Sequence, residues 1–415
     1  MKAKIGILSL GCARNLVDSE GILGRLRLKG YSVVDIKDAD VAIINTCAFI
    51  EDARKESVDA ILDIIGLKKE GRIRKIIVHG CLSQRYKDLL RKELSEVDAF
   101  VGNISLERGL DRFPITPKHY AYLKICEGCV NNCSFCVIPK IKGRFTSLDK
   151  ESVLRKVEGF SGDKVSELNI IGQDITGYGI DLYGKPQLAA LLKGVLKNAQ
   201  GIGWIRLLYL NPERVTGELL RLIKDSPKIC KYIDLPIQHI NARILRLMKR
   251  GAGRRKIVSL INEIRRLMPE AVLRTSIIVG FPSETDREFK ELLGFIEDVK
   301  FERLGAFIYS KEEDTAAYSM KGQVPKKIKE ERFDMIMAAQ QKVSKQVNGK
   351  FLGKSIDVLI DEKQDECYLG RSRYDAPEVD GLVYVSSGKK LNPGDFVKVK
   401  ITDTLEYDLV GETVS

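Results

Sequence analysis

Near-continuous runs of apolar, mostly β-branched residues alternate with helical patterns over the first 115 positions. Such runs are typical of parallel strands that are buried on both faces of a sheet. The predicted strands lie at 4–10, 41–45 and 75–79. The helical segments that follow them lie at 15–29, 51–67 and 82–93. This alternation predicts a doubly wound parallel α/β domain over residues 1–115.

The pattern continues beyond a proline-containing stretch at 113–117, which marks the first domain boundary. The strand candidates beyond it, separated by helical spacers, lie at 121–125, 167–172, 204–209, 232–235, 272–279 and 304–309. Six β/α units fall short of a closed eight-unit barrel, so they predict a partial six-unit β/α barrel over residues 116–345. Its chemistry should lie at the carboxyl ends of the strands.

The sequence pattern changes again towards the end of the chain, from β/α units to one helix and a series of short strands. A charged helical segment at 325–350 precedes short strands that are separated by Asp-Gly, Ser-Gly and Asn-Pro-Gly turns. These strands lie at 355–360, 366–370, 382–385, 396–401 and 407–410. Short strands with such turns predict a small antiparallel β-barrel over residues 346–415.

Composition places the chain among globular proteins. Of its 415 residues, 44% are hydrophobic and 30% are charged, and no run of eighteen apolar residues occurs. These values exclude a disordered tail, a fibre and a membrane-spanning helix. We find no signal-peptide pattern and expect a cytosolic protein. The net charge of +12 favours anionic partners such as nucleic acid, although such an excess also serves solubility.

The chain has nine cysteines, and their positions indicate which metal or redox chemistry it can support. In a reducing cytosol, clustered thiols are typical of metal or redox ligands. Cys129, Cys133 and Cys136 form a CxxxCxxC motif after the first strand of the central domain. Three thiolates can each hold one iron of a cubane cluster, which leaves the fourth iron open for a substrate or cofactor. The alternative is a structural zinc site. Cys126 would be a fourth ligand, but we treat it as a spectator because the motif is complete without it.

Three further cysteines occupy equivalent places in the N-terminal domain. Cys12, Cys47 and Cys81 each follow one of its predicted strands. Since the carboxyl ends of parallel strands meet in one crevice, we expect these thiols to converge and to ligate a second cluster with an open iron. The alternative is ordinary packing of buried cysteines, which is the role we assign to Cys230 and Cys367.

The CxxxCxxC motif has an aromatic residue before its last cysteine and begins a six-unit β/α pattern. In both respects it resembles the radical S-adenosylmethionine superfamily. The resemblance implies that the open iron binds the amino and carboxylate groups of S-adenosylmethionine and that Phe135 packs near its adenine. It also implies that Gln173 and Asp174, after the second strand, lie at the methionyl amine. The segment here reads Ile-Gly-Gln-Asp where the superfamily usually has Gly-Gly-Glu.

With two cysteine triads and a terminal barrel, the whole length resembles the methylthiotransferases. Three segments are most similar to the branch that modifies an aspartate of a ribosomal protein: SLGCARNLVDSE at 9–20, YIDLPIQH at 232–239 and RSRYDAPEVDG at 371–381. The tRNA-modifying branch typically has Gln-Met before the Asn of the first segment and Ser in place of His239. The terminal barrel is similar to the TRAM domain, which this family uses to bind its substrate.

The resemblance implies an enzyme with two 4Fe-4S clusters and S-adenosylmethionine, in which the cofactors carry the chemistry and no catalytic side chain is assigned. The implied reaction inserts a methylthio group at the β-carbon of an aspartate in small-subunit ribosomal protein twelve. An electron donor such as a flavodoxin or ferredoxin would start it. Two alternatives stay open. One is methylthiolation of an adenosine next to the tRNA anticodon, with contact to RNA, and the other is a non-catalytic iron–sulfur protein.

Acidic residues of the terminal barrel bear on the choice of substrate. They comprise an acidic run at 361–366 and the residues Asp375, Glu378 and Asp380. Exposed carboxylates would repel phosphates and attract a ribosomal protein that is rich in Lys and Arg. We therefore expect these side chains to face the substrate and to favour a protein over tRNA.

Overall fold

The computed structural model describes residues 2–104, 106 and 112–414. The N-terminal elements, in chain order, are β1 (Lys4–Ser9), α1 (Ala13–Leu28), β2 (Ser32–Val33), β3 (Val41–Thr46), α2 (Glu51–Lys69), β4 (Lys75–Gly80), α3 (Cys81–Glu93) and β5 (Ala99–Val101). The strands form one parallel sheet in the order β2-β1-β3-β4-β5. This is a strand order of doubly wound α/β folds, whose ligands bind at the carboxyl ends of the strands.

Strands β1, β3 and β4 end at one edge of this sheet. Their register places Ser9 beside Asn45 and Thr46 beside Gly80. Successive residues of β3 are buried because both faces of the sheet are covered. Residues that directly follow these strands are therefore brought together at this edge.

The central elements are β6 (Tyr120–Lys124), β7 (Cys126–Glu127), α4 (Ile138–Lys142), β8 (Thr146–Ser147), α5 (Lys150–Gly162), β9 (Glu167–Ile171), α6 (Ile180–Tyr183), α7 (Leu188–Asn198), β10 (Trp204–Leu207), α8 (Gly217–Asp225), β11 (Tyr232–Asp234), α9 (Ala242–Leu247), α10 (Arg254–Leu267), β12 (Val272–Val279), α11 (Asp286–Val299), β13 (Arg303–Ile308) and α12 (Lys326–Gly349). The long strands form two parallel sheets, β10-β9-β6 and β11-β12-β13. A parallel bridge between Ile205 and Ile229 links the two.

Side chains alternate between the two faces of these strands. In β6, Ala121 and Leu123 pack into the large apolar core on the helical side. Tyr120 and Tyr122 point the other way and pack in a cluster that includes Leu359 of the C-terminal barrel. The inner face of the sheets is thus partly filled by the barrel.

The C-terminal elements are β14 (Ser355–Gln364), β15 (Cys367–Ser372), β16 (Val383–Ser386), β17 (Phe396–Thr404) and β18 (Leu409–Thr413). They close into a barrel in the order β14-β15-β16-β18-β17. The α/β class with a small C-terminal barrel is confirmed. The expectation of a purely antiparallel barrel is wrong, because β16 and β18 run parallel. A closed barrel of five strands cannot alternate direction all the way round.

The barrel docks on the amino-terminal ends of the central strands. Glu167, the first residue of β9, accepts hydrogen bonds from Arg206 (2.8 Å) of β10 and from Arg371 (2.5 Å) of the barrel. Asp361 accepts hydrogen bonds from Arg371 (2.8 Å) and from the Nε2 of His119 (2.7 Å). His119 directly precedes β6. The strand ends that would carry chemistry lie at the opposite edge.

This docking corrects the expectation for four of the barrel's carboxylates, which do not face a substrate, whereas Glu362, Asp365 and Glu366 are exposed. Asp375 is buried and pairs with Arg303 of β13, and the carboxylate of Asp380 accepts a hydrogen bond from Tyr232 (2.5 Å). Glu378 accepts one from Tyr120 (2.9 Å). These side chains and Asp361 bind the chain's own central domain, a role that sequence position alone does not reveal.

In the described ranges, no helix is both long enough and apolar enough to cross a membrane.

Candidate functional site

The cysteines of the N-terminal domain lie at the carboxyl edge of its sheet. Cys12 precedes α1, Cys47 follows β3 and Cys81 begins α3. Gly11 turns the chain with a φ of +87°, and a Cβ atom there would lie 2.8 Å from the Cβ of Cys47, so this approach requires glycine. A Cβ atom on Gly11 would also lie 3.1 Å from the Sγ of Cys47, and the side chain of Asn15, three residues after Cys12, lies 3.9 Å from the Sγ of Cys81. The three cysteines thus lie at one edge of the sheet, and their joint ligation of a cluster stays a prediction.

Asn15 joins the three segments that carry these cysteines. Its amide nitrogen donates to the carbonyl groups of Leu10 and Thr46, each at 3.1 Å. Its amide oxygen lies 3.9 Å from the Sγ of Cys81 as a weak acceptor. The side chain is buried, so these polar contacts replace water. Asn15 is a positioning residue that our sequence analysis missed, although its place three residues after Cys12 was a visible signal.

The charges around this triad differ between its members. Burial opposes ionisation of Cys12, but the guanidinium of Arg14 and hydrogen bonds from the backbone of Asn15 lower the pKa of its thiol. Burial raises the pKa of Cys47 and raises that of Cys81 to about 12. These two thiols therefore stay protonated at neutral pH unless a metal displaces their protons.

The second triad lies on the loop between β7 and α4. Asn131 Nδ2 donates to the Sγ of Cys129 (3.2 Å), and Arg250 Nη1 donates to the Sγ of Cys133 (3.5 Å). The backbone N–H of Cys136 donates to the carbonyl of Cys133 (3.1 Å). Burial raises the pKa of Cys129 and raises that of Cys136 to about 12. This loop is the one that the CxxxCxxC motif predicts.

Arg14 reaches from the N-terminal triad to the central sheet. Its Nε donates to the Sγ of Cys12 (3.4 Å), and its Nη1 donates to the carbonyl of Gly172 at the end of β9 (3.0 Å). Its charge also favours ionisation of Cys136. One side chain therefore spans the N-terminal domain and the carboxyl end of the central sheet. The sequence pattern alone does not single out this residue.

Cys126 lies apart from this loop. It is the first residue of β7 and is fully buried. Its side chain faces Gly172, where an added Cβ atom would lie 2.5 Å from the sulfur of Cys126. Burial raises the pKa of its thiol well above the ordinary value. Cys230 is buried near Arg206 at the opposite end of the strands, and Cys367 begins β15.

The predicted cofactor contacts are engaged within the protein. Phe135 packs at the edge of an apolar cluster with Phe281 and Tyr309. Gln173 Nε2 donates to Glu127 (2.7 Å). Asp174 accepts hydrogen bonds from Asn131 and Arg214 and caps a short turn. The prediction that Phe135, Gln173 and Asp174 contact S-adenosylmethionine stays a prediction.

A buried cluster of four charges joins the N-terminal and central domains. Asp18 of α1 pairs with Lys124 of β6, and Lys124 also pairs with Glu127. Lys142 lies 3.4 Å from both carboxylates. Burial raises the pKa of Glu127, but Lys124 and Lys142 outweigh it and bring the pKa to about 2. The two acids and two bases balance, so the domains meet through a neutral but strongly polar contact.

The donor chemistry of the triads fits iron–sulfur clusters. Among the described residues, no group of three or more His, Cys, Asp or Glu side chains is placed to hold a metal ion. Zinc would need its ligands around one ion, whereas each thiolate of a cubane cluster binds its own iron. Two separate sets of three soft sulfur donors, with Arg14 beside Cys12 to offset anionic charge, provide the type of ligand that such clusters use.

Comparisons with known proteins agree with this architecture. Residues 4–102 match the "Uncharacterized protein family UPF0004", residues 123–296 the Radical SAM superfamily and residues 352–414 the TRAM domain. Among solved structures, the radical S-adenosylmethionine methyltransferase TsrM from Kitasatospora setae, with tryptophan substrate and a SAM analogue, has a TM-score of 0.55. It is 12% identical, and the match covers 73% of this chain and 72% of that one, so it shows a shared fold. Fold and site together define a radical S-adenosylmethionine enzyme of the methylthiotransferase class.

Curated relatives show the family. The chain is 44% identical to ribosomal protein uS12 methylthiotransferase RimO of Clostridioides difficile, over 99% of each chain. It is 47% identical to the protein of that name in Caldanaerobacter subterraneus, over 98% of this chain and 99% of the relative. The chain belongs to the RimO family of methylthiotransferases. The resemblance drawn from the sequence motifs is confirmed.

Proposed function

We propose that the protein inserts a methylthio group at the β-carbon of an aspartate in ribosomal protein uS12. The observation that carries this proposal is the pair of cysteine triads, with Arg14 reaching from Cys12 to the carboxyl end of β9 in the central sheet. Radical methylthiolation needs one centre that removes hydrogen and one that delivers sulfur, both within reach of a single carbon. Full-length relatives named as uS12 methylthiotransferases support the same substrate.

The cysteines would hold two 4Fe-4S clusters. The ligands of the central cluster would be Cys129, Cys133 and Cys136, and those of the N-terminal cluster would be Cys12, Cys47 and Cys81. Phe135, Gln173 and Asp174 would line the S-adenosylmethionine site. When bound, these cofactors supply the radical that removes hydrogen and the sulfur that replaces it.

The chain's own contribution is to hold both centres at a fixed separation and to keep water out. The cluster of Asp18, Lys124, Glu127 and Lys142 ties α1 to β6, β7 and α4. Separating these desolvated charges would leave unpaired ions, which is costly. The two triads would therefore keep a fixed separation, and the substrate carbon would bind in the gap between them.

The finer domain assignment follows from this function. Residues 1–115 would form the N-terminal domain, 116–345 the radical domain and 346–415 the TRAM-like domain. The two three-stranded parallel sheets would be the halves of the predicted six-unit partial barrel. A flavodoxin or ferredoxin would supply the electron.

A tRNA adenosine next to the anticodon is the second candidate substrate. Four of the carboxylates that argued against RNA, Asp361, Asp375, Glu378 and Asp380, are engaged within the protein, and the net charge of +12 favours a nucleic acid. The deciding experiment is to incubate reconstituted enzyme, S-adenosylmethionine and a reductant with purified uS12 or with tRNA. A gain of about 46 mass units on uS12 alone supports the proposal. The same gain on tRNA alone overturns it.

A further inference from the structure

We infer that Arg14 binds the side-chain carboxylate of the substrate aspartate and thereby selects it. This inference rests on the proposed function and adds the residue that recognises the reacting group. The reacting β-carbon of an aspartate is bonded directly to its carboxylate carbon. Whatever holds that carbon between the two triads must therefore also accommodate a negative charge there.

The position of Arg14 meets this requirement. The side chain leaves the first turn of α1 and reaches both the Sγ of Cys12 and the carbonyl of Gly172. Cys12 lies at the carboxyl edge of the N-terminal sheet, and Gly172 follows the last residue of β9 in the central sheet. A carboxylate bound to this guanidinium would therefore lie where the carboxyl edges of the two sheets meet.

The guanidinium is held in place on one face. Its central carbon lies 4.5 Å from the ring centroid of Tyr209. Tyr209 follows β10 with a φ of +65°, and its backbone N–H donates to Asp234 (2.8 Å). Because Nε and Nη1 are engaged and the ring covers one face, the orientation of the planar fork is set before a ligand arrives.

Arg14 also retains free hydrogen-bonding capacity. Within the described residues, its Nη2 group makes no hydrogen bond and is not among the buried unpaired atoms, so this group is not fully enclosed. No carboxylate in these ranges lies within salt-bridge distance of it. Such a donor pair is suited to a carboxylate oxygen.

Neighbouring cations are less suited to the task. Lys124 and Lys142 share two carboxylates in the buried cluster, and Arg214 pairs with Asp174. Arg250 donates to Cys133 and to the carbonyl of Pro236, and so belongs to the central triad alone. Among these cations, Arg14 is the one that contacts Cys12, reaches the carboxyl end of β9 and has an Nη2 group without a hydrogen bond in the described residues.

The test compares binding of purified uS12 with binding of uS12 in which the modified aspartate is replaced by asparagine. Reconstituted enzyme should bind the aspartate form at least about tenfold more tightly, the scale of one charge-assisted hydrogen bond. Arg14→Met should reduce this preference to less than about twofold. Arg27→Met is the matched control, since Arg27 lies exposed in the last turn of the same helix, and it should keep the full preference.

Iron content and S-adenosylmethionine cleavage without substrate are measured alongside. An Arg14→Met enzyme that is fully loaded and keeps the preference overturns the inference. If Arg14→Met binds less iron, Arg14→Lys decides: a reduced preference supports the inference, and an unchanged one overturns it. A wild-type enzyme that leaves uS12 unmodified would instead contradict the proposed function, so the two failures are distinguishable.

Discussion

Arg303 of β13 and Asp375 of the C-terminal barrel form a buried salt bridge, with Nε 2.9 Å from Oδ1. Their side chains are 8% and 2% exposed. Asp375 also accepts a hydrogen bond from Ser372. Each of these buried ions depends on the other for its counter-charge. The salt bridge therefore fixes the barrel to the central domain.

Removing one partner of this pair should be costly. Asp375→Ala leaves the guanidinium of Arg303 buried without a counter-ion, and we expect a loss of about 3–5 kcal/mol in the free energy of unfolding. Chemical denaturation measures this loss. The control is Glu366→Gln in the same barrel, which changes an exposed carboxylate and should cost less than about 0.5 kcal/mol. Equal effects of both changes would show that the pair does not stabilise the docking.

The same interface should weaken in acid. Burial would raise the pKa of Asp361, but His119 and Arg371 outweigh burial and hold it below its ordinary value. A carboxyl group with a depressed pKa stabilises the fold fully above its unfolded pKa of about 4, and this stability is lost as the pH falls further, through the lower pKa of the folded state. The difference in unfolding midpoint between wild type and Asp361→Asn should therefore shrink below about pH 4. A difference that is constant with pH would contradict this origin.

Iron content tests the two triads separately. Reconstituted wild type should carry about eight irons, the number in two cubanes. Replacing the central triad (Cys129, Cys133 and Cys136) by alanine should leave about half, and so should replacing the N-terminal triad (Cys12, Cys47 and Cys81). The latter variant should still cleave S-adenosylmethionine. Cys126→Ala is the matched control and should keep all its iron, since Cys126 is buried against Gly172.

Asn15 should be needed for the N-terminal cluster without being a ligand. Asn15→Ala removes the amide that joins the segments around Leu10, Thr46 and Cys81, so the iron content should fall towards about four. Cleavage of S-adenosylmethionine should persist. Full retention of eight irons would show that the strands alone position the three thiols.

Much of the fold is predictable from the sequence because its strands are long and apolar. The predicted strand at 272–279 coincides with β12. The pattern does not predict β2 or β5, which have only two and three residues and so carry no periodic signal. The convergence of Cys12, Cys47 and Cys81 follows from parallel topology, since each comes directly after a strand.

The roles of charged residues are harder to predict. Asp375 meets Arg303 across 72 residues of chain, and Lys124 meets Asp18 across 106. Local sequence does not distinguish such internal partners from exposed charges. The same holds for Arg14, whose hydrogen bond to the carbonyl of Gly172 spans 158 residues of chain. This hydrogen bond places a cation at the candidate site.

The most direct test of the central claim is the intact mass of ribosomal protein uS12 from cells with and without this gene. We expect uS12 to be heavier by about 46 mass units when the gene is present, as replacement of hydrogen by a methylthio group requires. A gene encoding Cys12→Ala should not restore the added mass. An unchanged mass of uS12, together with gene-dependent methylthiolation of a tRNA adenosine, would contradict the account.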